Sequence, residues 1–494
     1  MQNALWQVRL FGLSLWVAVG CSDSDPEPRR DSGADAGDDR DSGPEPSADG
    51  GPNAAAPDGR AVDDDVDAGV VETAWQPLLD AELSKWYRYL PSRGRDDDPQ
   101  GVFKLEDGVL HVLGIEPPAG DQEFGYVSTR DDYADYQLRL EQRWGTRKFA
   151  PRADSVRDSG LLYHMRGDDG VWPQCVEFQI QENDIADLFM LGGIGATVRV
   201  DPNAPTVFQE SGIWRMARNE AIKKSGTLES LSDWNSLELI VSGREMVHIV
   251  NGFIGQRGKE IEYSQGDQWL PLNRGRIQLQ AEGAEVFYRN VQLRPLSYTA
   301  PPSGSLVLFD GSNLAAWQAA DGGEAAWSVV DGALEIAPGS GDLVTRRTFD
   351  DVRLHVEFRV PITADPGAEE QARGNSGVFL QGRYEVQVLD SFGRALGGAD
   401  DAGAIYSVRD ASANEALPAE LWQSYDIVFR AARWDGETKR RSARISLFWN
   451  GREVQHEVEV PVSIGDAEQP GGGPLRLQDH GFPVRFRNIW LVPL

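Results

Sequence analysis

Along most of this chain, apolar and polar residues alternate in short runs. In Tyr384-Glu385-Val386-Gln387-Val388 and in Val176-Glu177-Phe178-Gln179-Ile180 the apolar residues fall on one face of an extended strand and the polar residues on the other. Turn signals separate such runs: Asp107-Gly108, Asp331-Gly332, Asn251-Gly252 and Asn450-Gly451. A period of two with Val, Leu, Phe, Tyr and Trp between Gly, Asp and Asn predicts antiparallel strands and an all-β fold. Without strong helical periodicity, that pattern predicts two-sheet sandwiches or jelly rolls. One short, peripheral helix is expected around Asn414–Leu421.

The pattern occurs twice. Leu475-Arg476-Leu477-Gln478-Asp479-His480-Gly481 and Val484-Arg485-Phe486-Arg487-Asn488-Ile489 answer Ile277-Gln278-Leu279-Gln280-Ala281-Glu282-Gly283 and Val286-Phe287-Tyr288-Arg289-Asn290-Val291. Upstream, Leu78-Leu79-Asp80 with Trp86 answers Leu308-Phe309-Asp310 with Trp317, and Asp158-Ser159-Gly160 answers Asn375-Ser376-Gly377. Order and spacing hold from end to end, which makes this a duplicated domain.

The 494 residues accommodate two such modules. They are expected at 73–298 and 303–494, joined by a brief linker that restricts their relative orientation. Residues 1–21 read as a bacterial lipoprotein signal: Arg9, an apolar run from Phe11 to Val19, then Gly20-Cys21, with Cys21 the lipid-bearing residue. An ordinary secretory signal is the alternative. Residues 22–72 are expected to form a disordered acidic linker, since between Ser22 and Val70 fifteen Asp and Glu stand against four Arg. The address implied is an exported lipoprotein, at the outer membrane, held to the bilayer by its lipid alone. A net charge of −30 with no basic patch argues against nucleic acid. After Cys21 only Cys175 remains, so no intramolecular disulfide framework exists. No metal-ligand spacing is present; a carboxylate-bound divalent cation has room among the acidic residues but no position specifies it.

Strand alternation selects the candidate chemistry. Glu385 and Gln387 share a face in the second module, as Glu177 and Gln179 do in the first. Arg476, Gln478 and His480 share a face, answered by Gln278, Gln280 and Glu282. Carboxylates and amides on one curved sheet are what sugar hydroxyls need, although solvent-facing strand positions would carry the same residues. His480 is a candidate acid–base group, because an imidazole exchanges a proton near neutrality. Asp479 cannot share its strand face and needs the turn that Gly481 and Pro483 favour. Glu385 is the second candidate, as base or as holder of hydroxyls. Arg485 and Arg487 alternate with Phe486; they either steady a developing anion or form structural ion pairs. Asn375 either binds sugar or shapes the start of a strand. His164, aligned with Gln381, is expected to line a pocket.

Taken together, Phe309-Asp310-Gly311 with Trp317, Asn375-Ser376-Gly377, Tyr384-Glu385-Val386-Gln387, Leu477-Gln478-Asp479-His480-Gly481 and Val484-Arg485-Phe486-Arg487-Asn488-Ile489 resemble the 3-keto-disaccharide hydrolase family. Residues 304–494 carry the resemblance throughout; residues 74–297 are similar in a more divergent form. It implies tandem concanavalin- or laminin-G-like jelly rolls acting on 3-keto-glucosides or 3-keto-disaccharides, whose ketone a separate sugar 3-oxidoreductase would install. Such a ketone acidifies the C2 hydrogen, so cleavage would proceed by proton abstraction and elimination, followed by hydration. On this reading His480 or Glu385 takes the proton, with Asp479 nearby. Gln387, Asn375, Gln478, Arg485, Arg487, Glu177, Gln179, Glu282 and His164 hold substrate. The alternatives are a non-catalytic surface carbohydrate-binding lipoprotein and an adhesive protein without sugar affinity.

Overall fold

The computed structural model describes residues 72–114, 121–296, 299–363 and 368–494. The signal, Cys21 and nearly all of the acidic linker lie outside the described residues. Those described are strands, turns and one 3-10 turn at Glu370–Ala372.

Two sandwiches follow one another. In the first, the larger sheet runs in the order Phe253–Gln265, Glu245–Val250, Asn235–Ser242, Tyr136–Lys148, Ala284–Pro295, Val109–Val112, Phe103–Glu106. In the second, the same positions are filled by Arg452–Val460, Ala443–Trp449, Gln423–Arg430, Val352–Arg359, Arg485–Pro493, Ala333–Glu335 and Ser328–Val330. The smaller sheets correspond as well. Gln174–Gln181, Asp158–Arg166, Arg276–Ala281, Gly125–Thr129 and Trp86–Leu90 match Tyr384–Val388, Ser376–Leu380, Gly473–Leu477, Leu343–Phe349 and Trp317–Ala319. Each module is therefore a jelly-roll sandwich of antiparallel sheets with its own apolar core.

Local chemistry repeats with the topology. Trp86 and Trp317 donate from Nε1 to the carbonyls of Leu78 and Leu308, at 2.8 and 3.0 Å. Asn251 and Asn450 adopt positive φ and accept the amides of Ser236 and Ser424, at 2.9 and 2.8 Å. These asparagines can occupy the left-handed region that a tight hairpin requires. His164 and Gln381 share positive φ, 53° and 55°, so the alignment holds even where the side chains differ.

The expected helix at 414–421 is not formed. Pro418 disfavours helical geometry at Leu417, and Asn414 Nδ2 donates instead to the carbonyls of Ser391 and Arg394. Nor is the segment peripheral. Leu417 and Leu421 are buried with Ile240, Val247 and Ile249 of the first module. Around them Arg294 meets Glu415 at 2.6 Å, Arg199 meets Glu420 at 3.1 Å, and buried Arg257 donates to the Ala419 carbonyl at 2.7 Å. The modules pack directly on each other through this loop.

Candidate active site

In the strand Tyr384–Val388 the residues Tyr384, Val386 and Val388 enter the core. Glu385 and Gln387 must then lie on the opposite face of the smaller sheet. They are not solvent-facing: Glu385 is 4% exposed and Gln387 1%. The segment around Gly403–Tyr406 bonds to the strand's free edge, and Asp400 supplies a carbonyl to Gln387 Nε2 at 3.3 Å. The face is thus a recess roofed by loops.

Register places the candidates side by side. Glu385 pairs with Phe379 and Gln387 with Gly377. Phe379 pairs onward with Arg476, while the Gln478 amide donates to the Gly377 carbonyl at 3.0 Å. Gly377 has a specific role, because a Cβ there would overlap the Glu385 carboxylate. Only glycine lets that carboxylate lie across the sheet. Asn375 donates to Gln371 Oε1 at 2.7 Å. Asn375 Oδ1 and Gln478 Oε1 are buried acceptors without a partner among the described residues. Unpaired acceptors in a recess are costly unless a donor arrives, and sugar hydroxyls are such donors. Burial, opposed by Arg476 and reinforced by Asp342, pushes the Glu385 carboxyl up to about 8. A carboxyl near that value can release and recover a proton at ordinary pH.

The first module repeats the arrangement with different electrostatics. Glu177 and Gln280 both converge over Gly160, where a Cβ would strike each of them. Gln179 lies beside Glu177 on the same buried face. Glu282 and Asp158 are both joined to Arg152, Glu282 at 2.7 Å. Burial raises Glu177 well above the usual carboxylate range, and the neighbouring Glu282 and Asp158 add to the shift. Burial likewise raises Asp158 and Glu282.

Several expected site residues stand elsewhere. Arg485 and Arg487 belong to the closing strand of the larger sheet, on the other side of the core from Glu385. There Arg485 pairs with Glu335 and Arg487 with Glu357, each at 2.6 Å. Arg289 and Glu141 make the corresponding pair in the first module, so the motif ties sheet strands together through ion pairs. His164 is fully buried beside Tyr163, neither ring nitrogen has a partner among the described residues, and burial lowers it to about 3. Asp479 holds a turn, its two carboxylate oxygens accepting the amides of Gly341 and Gly481 at 2.9 Å each. His480 is exposed, three residues past the strand Gly473–Leu477, at the sheet end where Asn375 precedes the neighbouring strand.

The structure thus brings together Glu385, Gln387, Asn375 and Gln478 in one recess, and Glu177, Gln179 and Glu282 in another. Sequence reasoning missed Asp158, although it stands at the aligned position of Asn375. Gln371, Asp342 and Arg152 were also missed; they come from loops that no periodicity marks. Among the described residues no group of three or more His, Cys, Asp or Glu is arranged to hold a metal ion.

Solved structures with similar folds include a candidate glycosyl hydrolase from Parabacteroides distasonis. It is 37% identical, with 39% of this chain and 85% of that chain covered at a TM-score of 0.37. A second from the same organism is 18% identical, covering 39% and 94%, with a TM-score of 0.31. The β-glucanase of Bacillus licheniformis is 9% identical, covering 45% and 98%, with a TM-score of 0.28. No curated protein sequence matches the chain. The sequence profile of the 3-keto-alpha-glucoside-1,2-lyase-like domain matches residues 74–294 and again 304–492. With both sandwiches matched, the chain belongs to the 3-keto-alpha-glucoside-1,2-lyase-like domain family and carries that domain twice.

Proposed function

We propose that the second module cleaves 3-keto-glycosides by elimination, with Glu385 as the base. The observation that carries this reading is the Glu385 carboxyl itself, recessed over Gly377, raised to about 8 and surrounded by amides with acceptors to spare. Glu385, ionised, takes the proton from C2, and the C2–H electron pair becomes the C2–C3 double bond of an enolate. That pair then returns to form a C1–C2 double bond as the C1–O bond breaks and the aglycone leaves with the electrons of that bond. Water adds afterwards across the new double bond. No oxocarbenium ion or flanking pair of carboxylates is needed. Asn375, Gln387 and Gln478 would hold sugar hydroxyls. Arg476, held over Phe379 at 4.2 Å on the same face and ion-paired with Asp466 at 3.5 Å, would be the cation that steadies the enolate. His480, at the rim, would return a proton to the leaving oxygen.

The first module supports a second role, carbohydrate binding. Arg152 already engages the carboxylates of Glu282 and Asp158, and burial with those two neighbours holds Glu177, the counterpart of Glu385, well above the usual carboxylate range, which disfavours its ionised form as a base. We also propose that the chain is exported and lipidated at Cys21, and that a separate oxidoreductase supplies the ketone. Incorporation of labelled palmitate, lost in Cys21→Ser, checks the lipid.

The test of the reaction is release of aglycone from 3-keto-glucosides and from their unoxidised parents. Turnover of the keto forms alone, abolished in Glu385→Gln and reduced in His480→Ala, is expected. Turnover that survives Glu385→Gln and vanishes in His480→Ala would transfer the base to His480. Sugar binding with no turnover would leave a lectin.

A further inference from the structure

At the far end of the first module's smaller sheet, away from Glu282, lies a pocket of about 520 Å³ lined by Arg130, Arg166, Arg274 and Arg276 with a single acidic side chain, Asp132. Four guanidiniums at one cavity are unexpected in a chain of net charge −30. Three of them are balanced: Arg130 by Asp96 at 3.0 Å, Arg276 by Asp169 at 3.5 Å, and Arg274 by Asp132 at 4.0 Å. Arg166 is not. It has no carboxylate partner among the described residues, its Nη1 is buried without a hydrogen bond, and its guanidinium rests 3.3 Å over the Tyr263 ring.

In the second module the arginine at this place finds protein acceptors for Nη1, although its Nε is buried without a partner among the described residues. Continuing the matched strands past His164 and Gln381 sets Arg383 against Arg166. Arg383 is 2% exposed; its Nη1 donates to Gln381 Oε1 at 2.9 Å and to the Gly471 carbonyl at 3.3 Å. The segment at Ile464–Gly465 covers it by bonding to its carbonyl. In the first module His164 replaces Gln381 and offers Arg166 no acceptor. The chain there forms instead the hairpin of Phe253–Gln265 with Gln268–Pro271, whose Tyr263 and Pro271 line the pocket. One arginine is left uncompensated, and a pocket opens over it.

We infer that this pocket binds an oxyanion, the carboxylate or sulfate group of an acidic sugar or the free anion. Arg166 is its fixed donor, and Arg274 is the exposed donor at the mouth. A planar guanidinium can present two parallel N–H groups to a carboxylate, and stacking on Tyr263 holds that plane in one orientation. The site lies outside the Glu385 recess, so it stands or falls independently of the proposed reaction.

Titration calorimetry on the full-length protein with glucuronate, inorganic sulfate and glucose, at constant ionic strength, tests it. Glucuronate and sulfate should bind and glucose should not. Arg166→Gln should weaken both anions about tenfold or more, as expected for loss of a charge-assisted hydrogen bond. Arg274→Gln, an exposed change that spares the fold, should weaken them in the same sense. Tighter binding of glucuronate than of sulfate identifies an acidic sugar as the source, and equal binding identifies the free oxyanion. Absence of anion binding, or affinities unchanged in both variants, overturns the inference.

Discussion

Replacing Glu385 by Gln is the most direct probe of the recess, because it removes one titration and almost no volume. The folded-state value is raised from 4.5 to about 8, mainly by burial. A raised carboxyl binds its proton more tightly folded than unfolded, so its neutral form stabilises the fold and its ionised form does not. Below pH 4.5 both states are protonated and no difference is expected. Between pH 4.5 and 8 the unfolded chain has lost the proton and the folded chain has kept it, so wild-type stability falls by about 1.4 kcal/mol per pH unit. The accumulated cost is about 3 kcal/mol at pH 7 and at most about 5 kcal/mol above pH 8. The amide introduced by Glu385→Gln never ionises, so the variant should match wild type at acid pH and exceed it increasingly as pH rises. Urea denaturation at pH 4.5, 6, 7 and 8.5 measures the difference, in which Glu177 and Glu282 cancel. Parallel stability curves for the two proteins would refute a buried, raised Glu385, whatever the activity shows.

Gly377→Ala places a methyl group where the Glu385 carboxylate lies. It should cost about 1–3 kcal/mol and reduce turnover further than that loss of folded protein explains; full turnover in a stable variant would show that the carboxylate need not cross the sheet. Asp479→Ala removes the acceptor of two amide hydrogen bonds. It should lower stability by about 1–3 kcal/mol while Kd for substrate stays near wild type, measured on Asp479→Ala in the Glu385→Gln background. Burial alone would lower His355, but the hydrogen bond to Asp426 at 3.0 Å and the Glu357 carboxylate 3.6 Å away prevail and raise it to about 9. Its contribution to stability is therefore complete below pH 6.5 and lost as pH climbs through 9, so the gap between wild type and His355→Gln should narrow across that window. A ring titration near 6.5 by NMR would contradict it.

The residues that sequence reasoning placed well were those governed by strand period and turn geometry. Alternation set Glu385 and Gln387 opposite Val386, and Asn251-Gly252 and Asn450-Gly451 marked hairpins, because both rules act over two or three neighbouring residues. It failed where the deciding partner is remote in sequence. Arg485 and Arg487 do share a face, but only the sheet's register shows that the face meets Glu335 and Glu357. His164 reads as polar and is buried by the chain bulging at its positive φ. Asn414–Leu421 has helix-forming residues, yet Pro418 and the neighbouring module decide its shape.

The two copies also differ in how their recessed carboxylates are compensated, which bears on the division of roles proposed for them. In both, a glycine floor brings a glutamate across the sheet, so the scaffold alone does not discriminate. What differs is the compensation. The first module gathers Glu177, Asp158 and Glu282 and places Arg152 against two of them, while burial raises all three above the usual carboxylate range. The second module has Asn375 where Asp158 stands and exposed His480 where Glu282 is buried. Glu385 is left with Arg476 opposing its shift and Asp342 reinforcing it, and no side chain among the described residues donates a hydrogen bond to its carboxylate. A base must be free to accept a substrate proton. Substituting an amide for one carboxylate, and moving the other ionisable group to the rim, leaves Glu385 without counterparts of Asp158 and Glu282 beside it, as the proposed base requires.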